Sequence, residues 1–227
     1  MMIVRTASAA ALACCALLAG CAPGTRPTGE HRSQDAAPTA LERAADSIAA
    51  AALLRPVPGM TIGVARGGRT VLLKGYGYAD LERGVAATAD TRYQIGSVTK
   101  TFTAAAVMRL AHEGRLRLDQ PLTDFLDEGP REWSSITLHH LLTHTSGLGS
   151  YTERLTSDTY LTPVPPGRVV EMIAAAPPNF RPGESWRYDN SAYFLLGLVI
   201  EKASGKPFGT YLQDTFFGPL GMDATSI

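Results

Sequence analysis

Cysteine is confined to positions 14, 15 and 21 of this 227-residue chain. Everything after residue 21 therefore lacks a thiol nucleophile, a Cys-ligated zinc and an internal disulfide. An excess of charge of either sign is also missing: 21 Lys and Arg stand against 21 Asp and Glu, which gives no general attraction to nucleic acid or to an acidic surface. No nucleic-acid partner is expected. The apolar stretch Ala9–Leu18 is too short to span a bilayer. Gly-x-Ser-x-Gly does not occur, which argues against an α/β-hydrolase. There is no internal repeat, and lysine stands only at positions 74, 100, 202 and 206.

What is present begins with an export signal over residues 1–20. Arg5 supplies its positive n-region and Ala9–Leu18 a short apolar h-region. The segment closes on "LAGC", which resembles the lipobox of bacterial lipoproteins, where cleavage precedes a cysteine that then carries the lipid. Cys21 would become the first residue of an exported, membrane-anchored lipoprotein. Residues 22–40 are rich in Pro, Gly, Thr and charge without apolar periodicity, the composition of a flexible tether behind Cys21.

Folded structure is expected from Leu41. "LERAADSIAAAALL" has helical composition and ends at Pro56, Pro58 and Gly59. Two β-rich runs flank Gly67-Gly68, a hairpin signal. Helices dominate the rest, at about 98–113, 137–143, 167–175, 191–203 and 208–217, with Gly147 and Gly205 where C-terminal caps belong. The first of these is apolar around nearly its whole circumference, which predicts burial on all sides.

That helix carries a cation in its first turn, although the positive end of the macrodipole favours acidic or neutral residues there. The cation is Lys100, and Ser97 lies three residues before it. Residues so spaced share a helix face with Cβ atoms about 5–6 Å apart. A serine hydroxyl becomes a useful nucleophile when a base takes its proton, and a lysine beside apolar surface and a positive helix end is driven toward its neutral, basic form. The same helix start offers the Ser97 N–H to a developing oxyanion. The plainer alternative is Ser97 as an N-cap with Lys100 snorkelling to water, but this is the one Ser-x-x-Lys in the chain. A second element, "SWRYDNSAYFLLG", places Tyr188 and Asn190 before another apolar helix. A phenol near a lysine can relay a proton, and an amide can position the lysine or hold a substrate carbonyl. Here the plainer alternative is Asn190 as N-cap and Tyr188 as a packing ring.

Together with "YQIGSVTKTFTAAAVMRLAHEGRLRLDQPL", "ITLHHLLTHTSGL" and "GKPFGTYLQDTFFGPLGM", these pieces resemble the serine β-lactamases of class C and the related penicillin-binding D,D-peptidases and esterases, over most of residues 41–227. The resemblance implies an α/β chain of the α+β type with the β-lactamase/transpeptidase-like fold, a helical lobe beside an antiparallel sheet flanked by helices. It implies a serine hydrolase acting on amide or ester carbonyls of a small-molecule or peptide substrate, with no metal or cofactor. Ser97 would be the acylated nucleophile, Lys100 its base partner, and Tyr188 with Asn190 the second catalytic element.

Two departures stand out. Asp189 occupies a position where such proteins usually carry Ser or Ala, and it either points away or tunes Tyr188 by its charge. The family's third element, a Lys or His followed by Thr or Ser and Gly on a late strand, is not found after Asn190. "HTSG" at 144–147 reads instead as a helix-ending loop. The later strands are thus expected beyond Ile227, with residues 41–227 alone a poor catalyst. His140 and His144 have the spacing of a metal pair, but no Glu follows His140 and no third ligand is evident, so packing and capping roles are expected. Trp133, Trp186, Phe216 and Phe217 read as core or cleft wall. Two alternatives stay open: a penicillin-binding or sensing lipoprotein acylated without turnover, and a truncated non-catalytic relative. The choice among β-lactam, peptidoglycan peptide and ester substrates also stays open, as does the oligomeric state.

The signal reading has a direct consequence. Mature protein should begin at lipidated Cys21 and partition with membranes, and Cys21→Ala should abolish the modification. Mass spectrometry of membrane-extracted protein checks this, and an unmodified N-terminus or an uncleaved signal would contradict it. Several acyl chains are expected, because one myristoyl-sized chain anchors only marginally.

Overall fold

The computed structural model describes residues 39–127, 129–155 and 162–227; the expected signal segment, Cys21 and the expected tether before Thr39 lie outside them. The described residues divide into two compact units that meet in sequence between Thr91 and Arg92.

The first unit opens with α1, Ala40–Leu53. Thr39 caps it through a full capping box with Glu42, which satisfies two N–H groups at the helix start. The expected hairpin follows as β1, Gly59–Arg66, and β2, Arg69–Asp80, antiparallel from Gly59 opposite Gly77 to Arg66 opposite Arg69. A two-residue β3, Val85–Ala86, pairs with the far end of β2 and completes the order β1-β2-β3. It was too short to leave a periodic signal in the sequence. Ala45 and Ala49 of α1 are buried, as is Leu72 of β2. Asp46 fastens the helix to the sheet by accepting from Lys74 Nζ at 2.6 Å and from the Tyr76 hydroxyl at 2.8 Å.

The second unit is helical. α2 spans Thr99–His112, α3 Leu138–Leu142, α4 Pro166–Ala174, α5 Asn190–Ser204 and α6 Phe208–Leu212, the last running into a π-turn over Gln213–Phe217. These match the helices read from the sequence within a few residues. The core forms where α2 packs on α5, with Ala106, Val107 and Leu110 facing Leu195, Leu196, Val199 and Ile200 in one buried cluster. Trp133 and Phe217 belong to that cluster, as expected, whereas Trp186 is 64% exposed. Among the described residues no helix is long and apolar enough to cross a membrane.

Burial of α2 on all sides was expected from its composition, and the structure corrects this. One face is buried through Thr103, Ala106, Val107 and Leu110, while Ala105 is exposed and Met108 is 51% exposed. An alanine-rich run looks apolar in every direction, but small side chains are tolerated at a surface and do not specify a buried face.

Gly205 takes the left-handed conformation at the end of α5, as expected. Gly147 does not cap α3. That role falls to His144, whose φ is +58°, with Thr145 N–H bonding to His140 O and His144 N–H to Leu141 O in a Schellman arrangement. Gly147 is required for other reasons: its φ is +75°, and a Cβ there would lie 2.0 Å from the Phe180 carbonyl oxygen. At Gly205 a Cβ would meet nothing within 4 Å. Gly205→Ala should therefore cost only the left-handed strain of about 1–2 kcal/mol. Gly147→Ala adds a backbone clash and should cost more, roughly 3 kcal/mol or above. Denaturant melts of the two variants check the order, and equal losses would contradict it.

Candidate functional site

Ser97 sits in a 3₁₀ turn, Gly96–Val98, that runs directly into α2. It is the N-cap of neither element, those positions being Ile95 and Val98, and its hydroxyl turns to other partners. Those partners are two residues far apart in sequence terms and close in space: the Tyr188 hydroxyl at 2.7 Å and Lys100 Nζ at 3.4 Å. Lys100 is the second residue of α2, and its ammonium donates to Asn190 Oδ1 at 2.7 Å. The four residues singled out from the sequence thus form one hydrogen-bonded group. Ser97 and Tyr188 are exposed, while Lys100 and Asn190 are half-buried.

A cation at the head of a helix needs compensation, and the surroundings supply it. Besides Asn190 Oδ1, two aromatic faces lie near Lys100 Nζ, Tyr188 at 4.9 Å and Tyr193 at 5.5 Å to the ring centroids. The bond from Lys100 and the contact with Ser97 hold the Tyr188 phenol below its ordinary pKa, against a smaller opposing effect of burial. A phenol so placed gives up its proton more readily than a free tyrosine.

The amide of Asn190 is itself oriented. Its Nδ2 donates to Thr152 Oγ1 at 3.0 Å and its backbone N–H to Ser150 Oγ at 3.3 Å, and these two hydroxyls lie 2.9 Å apart. With Nδ2 committed to Thr152, Oδ1 faces the ammonium. Ser150 and Thr152 were missed from sequence, because isolated hydroxyls in a loop carry no spacing that marks them.

Asp189, left open between two roles, points away from the phenol. It caps α5: Oδ1 accepts from Ala192 N–H at 3.0 Å and Oδ2 from Ser146 Oγ at 3.3 Å. Burial pushes its carboxyl above the usual range, and the bonds from the Ala192 and Ser191 N–H groups partly offset this. The cap is thus Asp189 rather than Asn190, which leaves the Asn190 side chain free for Lys100.

The two histidines have separate duties. His140 Nδ1 accepts from Thr137 N–H in the capping box of α3, and His144 Nδ1 accepts from Asp189 N–H at 3.3 Å. Beside the group opens a cavity of about 490 Å³ lined by Tyr151, Phe194, Leu198 and Phe208 together with Ser97 and Lys100. The arrangement presents an exposed hydroxyl within hydrogen-bond reach of a phenol of heightened acidity and within 3.4 Å of an amine, with apolar room next to it.

The chain is similar to several known proteins. Protein flp of Staphylococcus aureus (strain NCTC 8325 / PS 47) is 34% identical over 176 residues, covering 75% of this chain and 35% of flp. Esterase EstB of Burkholderia gladioli is 37% identical over 174 residues, covering 70% of this chain and 44% of EstB. The match therefore spans less than half the length of these curated relatives. Among solved structures, the D-amino acid amidase of Ochrobactrum anthropi SV3 complexed with L-phenylalanine amide superposes with a TM-score of 0.72 at 28% identity, covering 81% of this chain and 52% of that one. The fold is β-lactamase/transpeptidase-like, with helices and an antiparallel sheet. The family model described as Beta-lactamase matches residues 46–227, and the chain belongs to that family of hydrolases.

Proposed function

We propose that this chain carries the nucleophile and base of a serine hydrolase that cleaves esters or amides through an acyl-enzyme on Ser97. The observation that carries the reading is the 2.7 Å contact of Ser97 Oγ with Tyr188, whose phenol is held in turn by Lys100. In the first step Ser97 Oγ attacks the substrate carbonyl carbon and its proton passes to the ionised Tyr188 oxygen, with Lys100 stabilising the charge that moves. The Ser97 N–H at the helix head serves the oxyanion. Collapse of the tetrahedral adduct expels the alcohol or amine, which takes the proton from Tyr188. Water then attacks the acyl carbon, gives a proton to the same base, and the ester to Ser97 breaks, which regenerates the hydroxyl.

The apolar lining beside Ser97 supports an acyl portion of hydrophobic or aromatic character. EstB is an esterase and the Ochrobactrum protein a D-amino acid amidase, which supports carbonyl substrates of both kinds for this chain. β-Lactams and D-Ala-D-Ala-type peptides remain within the same chemistry. The "LAGC" segment supports export and attachment through Cys21.

Kinetics of single acylation by a fluorophosphonate or a labelled penicillin test the scheme. Lys100→Ala should slow acylation by about a hundredfold or more, because it removes the contact that makes Tyr188 acidic enough to serve as the general base. Tyr188→Phe keeps the ring and should slow it comparably. The unmodified protein should label faster as pH rises, along a curve with an apparent pKa below the ordinary tyrosine value of about 10, because Lys100 lowers that of the phenol. Tyr188→Phe should flatten this curve. Unchanged rates in both variants, or the same pH curve without the phenol, would contradict the assignment.

A further inference from the structure

The "HTSG" loop that ends α3 has no part in the chemistry described so far, yet its first residue occupies an unusual conformation. His144 sits at the left-handed position of a Schellman cap, with φ +58°. Glycine takes that position without steric penalty, and a side chain with a ring does not. Among the described residues His144 is the one non-glycine with positive φ. A residue kept in a strained conformation points to a use for its side chain.

The contacts of His144 give that use. Its carbonyl accepts from Arg187 N–H at 3.0 Å, and its Nδ1 accepts from Asp189 N–H at 3.3 Å. One residue thus grips the backbone on both sides of Tyr188. Its ring also lies 4.7 Å from the Tyr188 ring and 5.0 Å from the Tyr193 ring, tilted 37° to each. We propose that His144 is a positioning residue, holding the Tyr188 hydroxyl against Ser97 through this backbone grip and ring contact. The inference rests on the acyl-enzyme reading for its consequence in rate, though not for its geometry.

The neutral imidazole is required, since Nδ1 must accept while Nε2 carries the proton. Burial, and after it the charge of Lys100, hold the pKa of His144 below its ordinary value and favour that form. A residue serving only as a helix cap would need none of these contacts.

Three substitutions separate the roles. His144→Gly suits the left-handed position and removes the ring and the acceptor. His144→Phe keeps a ring without the acceptor. His144→Asn tolerates the left-handed position and offers Oδ1 in place of Nδ1. We expect His144→Gly to stay folded at the assay temperature, relief of the left-handed strain offsetting much of the lost bond, while fluorophosphonate labelling of Ser97 slows about 10- to 100-fold, the loss that a misplacement of about 1 Å produces. His144→Phe should also label slowly, and His144→Asn should recover part of the rate. Normal labelling in His144→Gly, or a slowing accompanied by an equal fall in folded protein in all three variants, overturns the proposal. The Tyr188 phenol titration, followed by NMR of ¹³C-labelled tyrosine, is the readout that needs no labelling. It should shift upward in His144→Gly and return in His144→Asn, and an unmoved titration overturns the grip. If the unmodified protein labels nowhere, the acyl-enzyme reading fails and the titration alone decides the grip.

Discussion

An ammonium group at the head of a helix is the constraint around which this site is organised. Lys100 stands in the first turn of α2, where unpaired N–H groups and the helix dipole both oppose a positive charge. The surroundings offset that opposition from several directions at once. Asn190 Oδ1 accepts from it, the Tyr188 and Tyr193 rings face it, and the Ser97 hydroxyl lies within 3.4 Å. Each of these contacts comes from a different position in the chain, so the residues around Lys100 are fixed relative to one another by the same charge. The acidity of the Tyr188 phenol follows from it as well.

Support for the group extends outward in layers of hydrogen bonds. Thr152 orients the Asn190 side-chain amide, Ser150 holds the Asn190 backbone N–H, and Asp189 closes the start of α5 so that Asn190 need not. Behind them, α2 and α5 are held together by a core of Ala, Val, Leu and Ile side chains that leaves their two N-terminal ends side by side. Packing therefore sets the distance between Lys100 and Asn190, and local polar contacts set the angle. Second-layer partners of this kind are what keep a reactive geometry within a few tenths of an ångström.

Much of this was legible in the sequence, and the reasons differ from residue to residue. Ser97 and Lys100 stood out because a cation in a first helical turn contradicts helix electrostatics, and such a conflict is visible without coordinates. Tyr188 and Asn190 needed the resemblance to a known family, since Tyr-x-Asn alone is weak. The helices and the β1–β2 hairpin followed from apolar period and glycine turns. What was hidden depends on long-range contact. Thr152 reaches Asn190 across 38 positions, and His144 reaches Asp189 across 45. No local pattern reports such a pair. The exposed side of α2 was misjudged because alanine reads as apolar wherever it lies, and Gly147 because a glycine near a helix end looks like a cap even when a clash with Phe180 is the reason for it.

The claim on which the account turns is that Ser97, and no other serine, is the residue made nucleophilic by this arrangement. It is tested most directly by treating the protein with a fluorophosphonate and locating the added mass by peptide mass spectrometry. The account predicts modification at Ser97, and none in Ser97→Ala. Label found on another residue, or retained in Ser97→Ala, would contradict it.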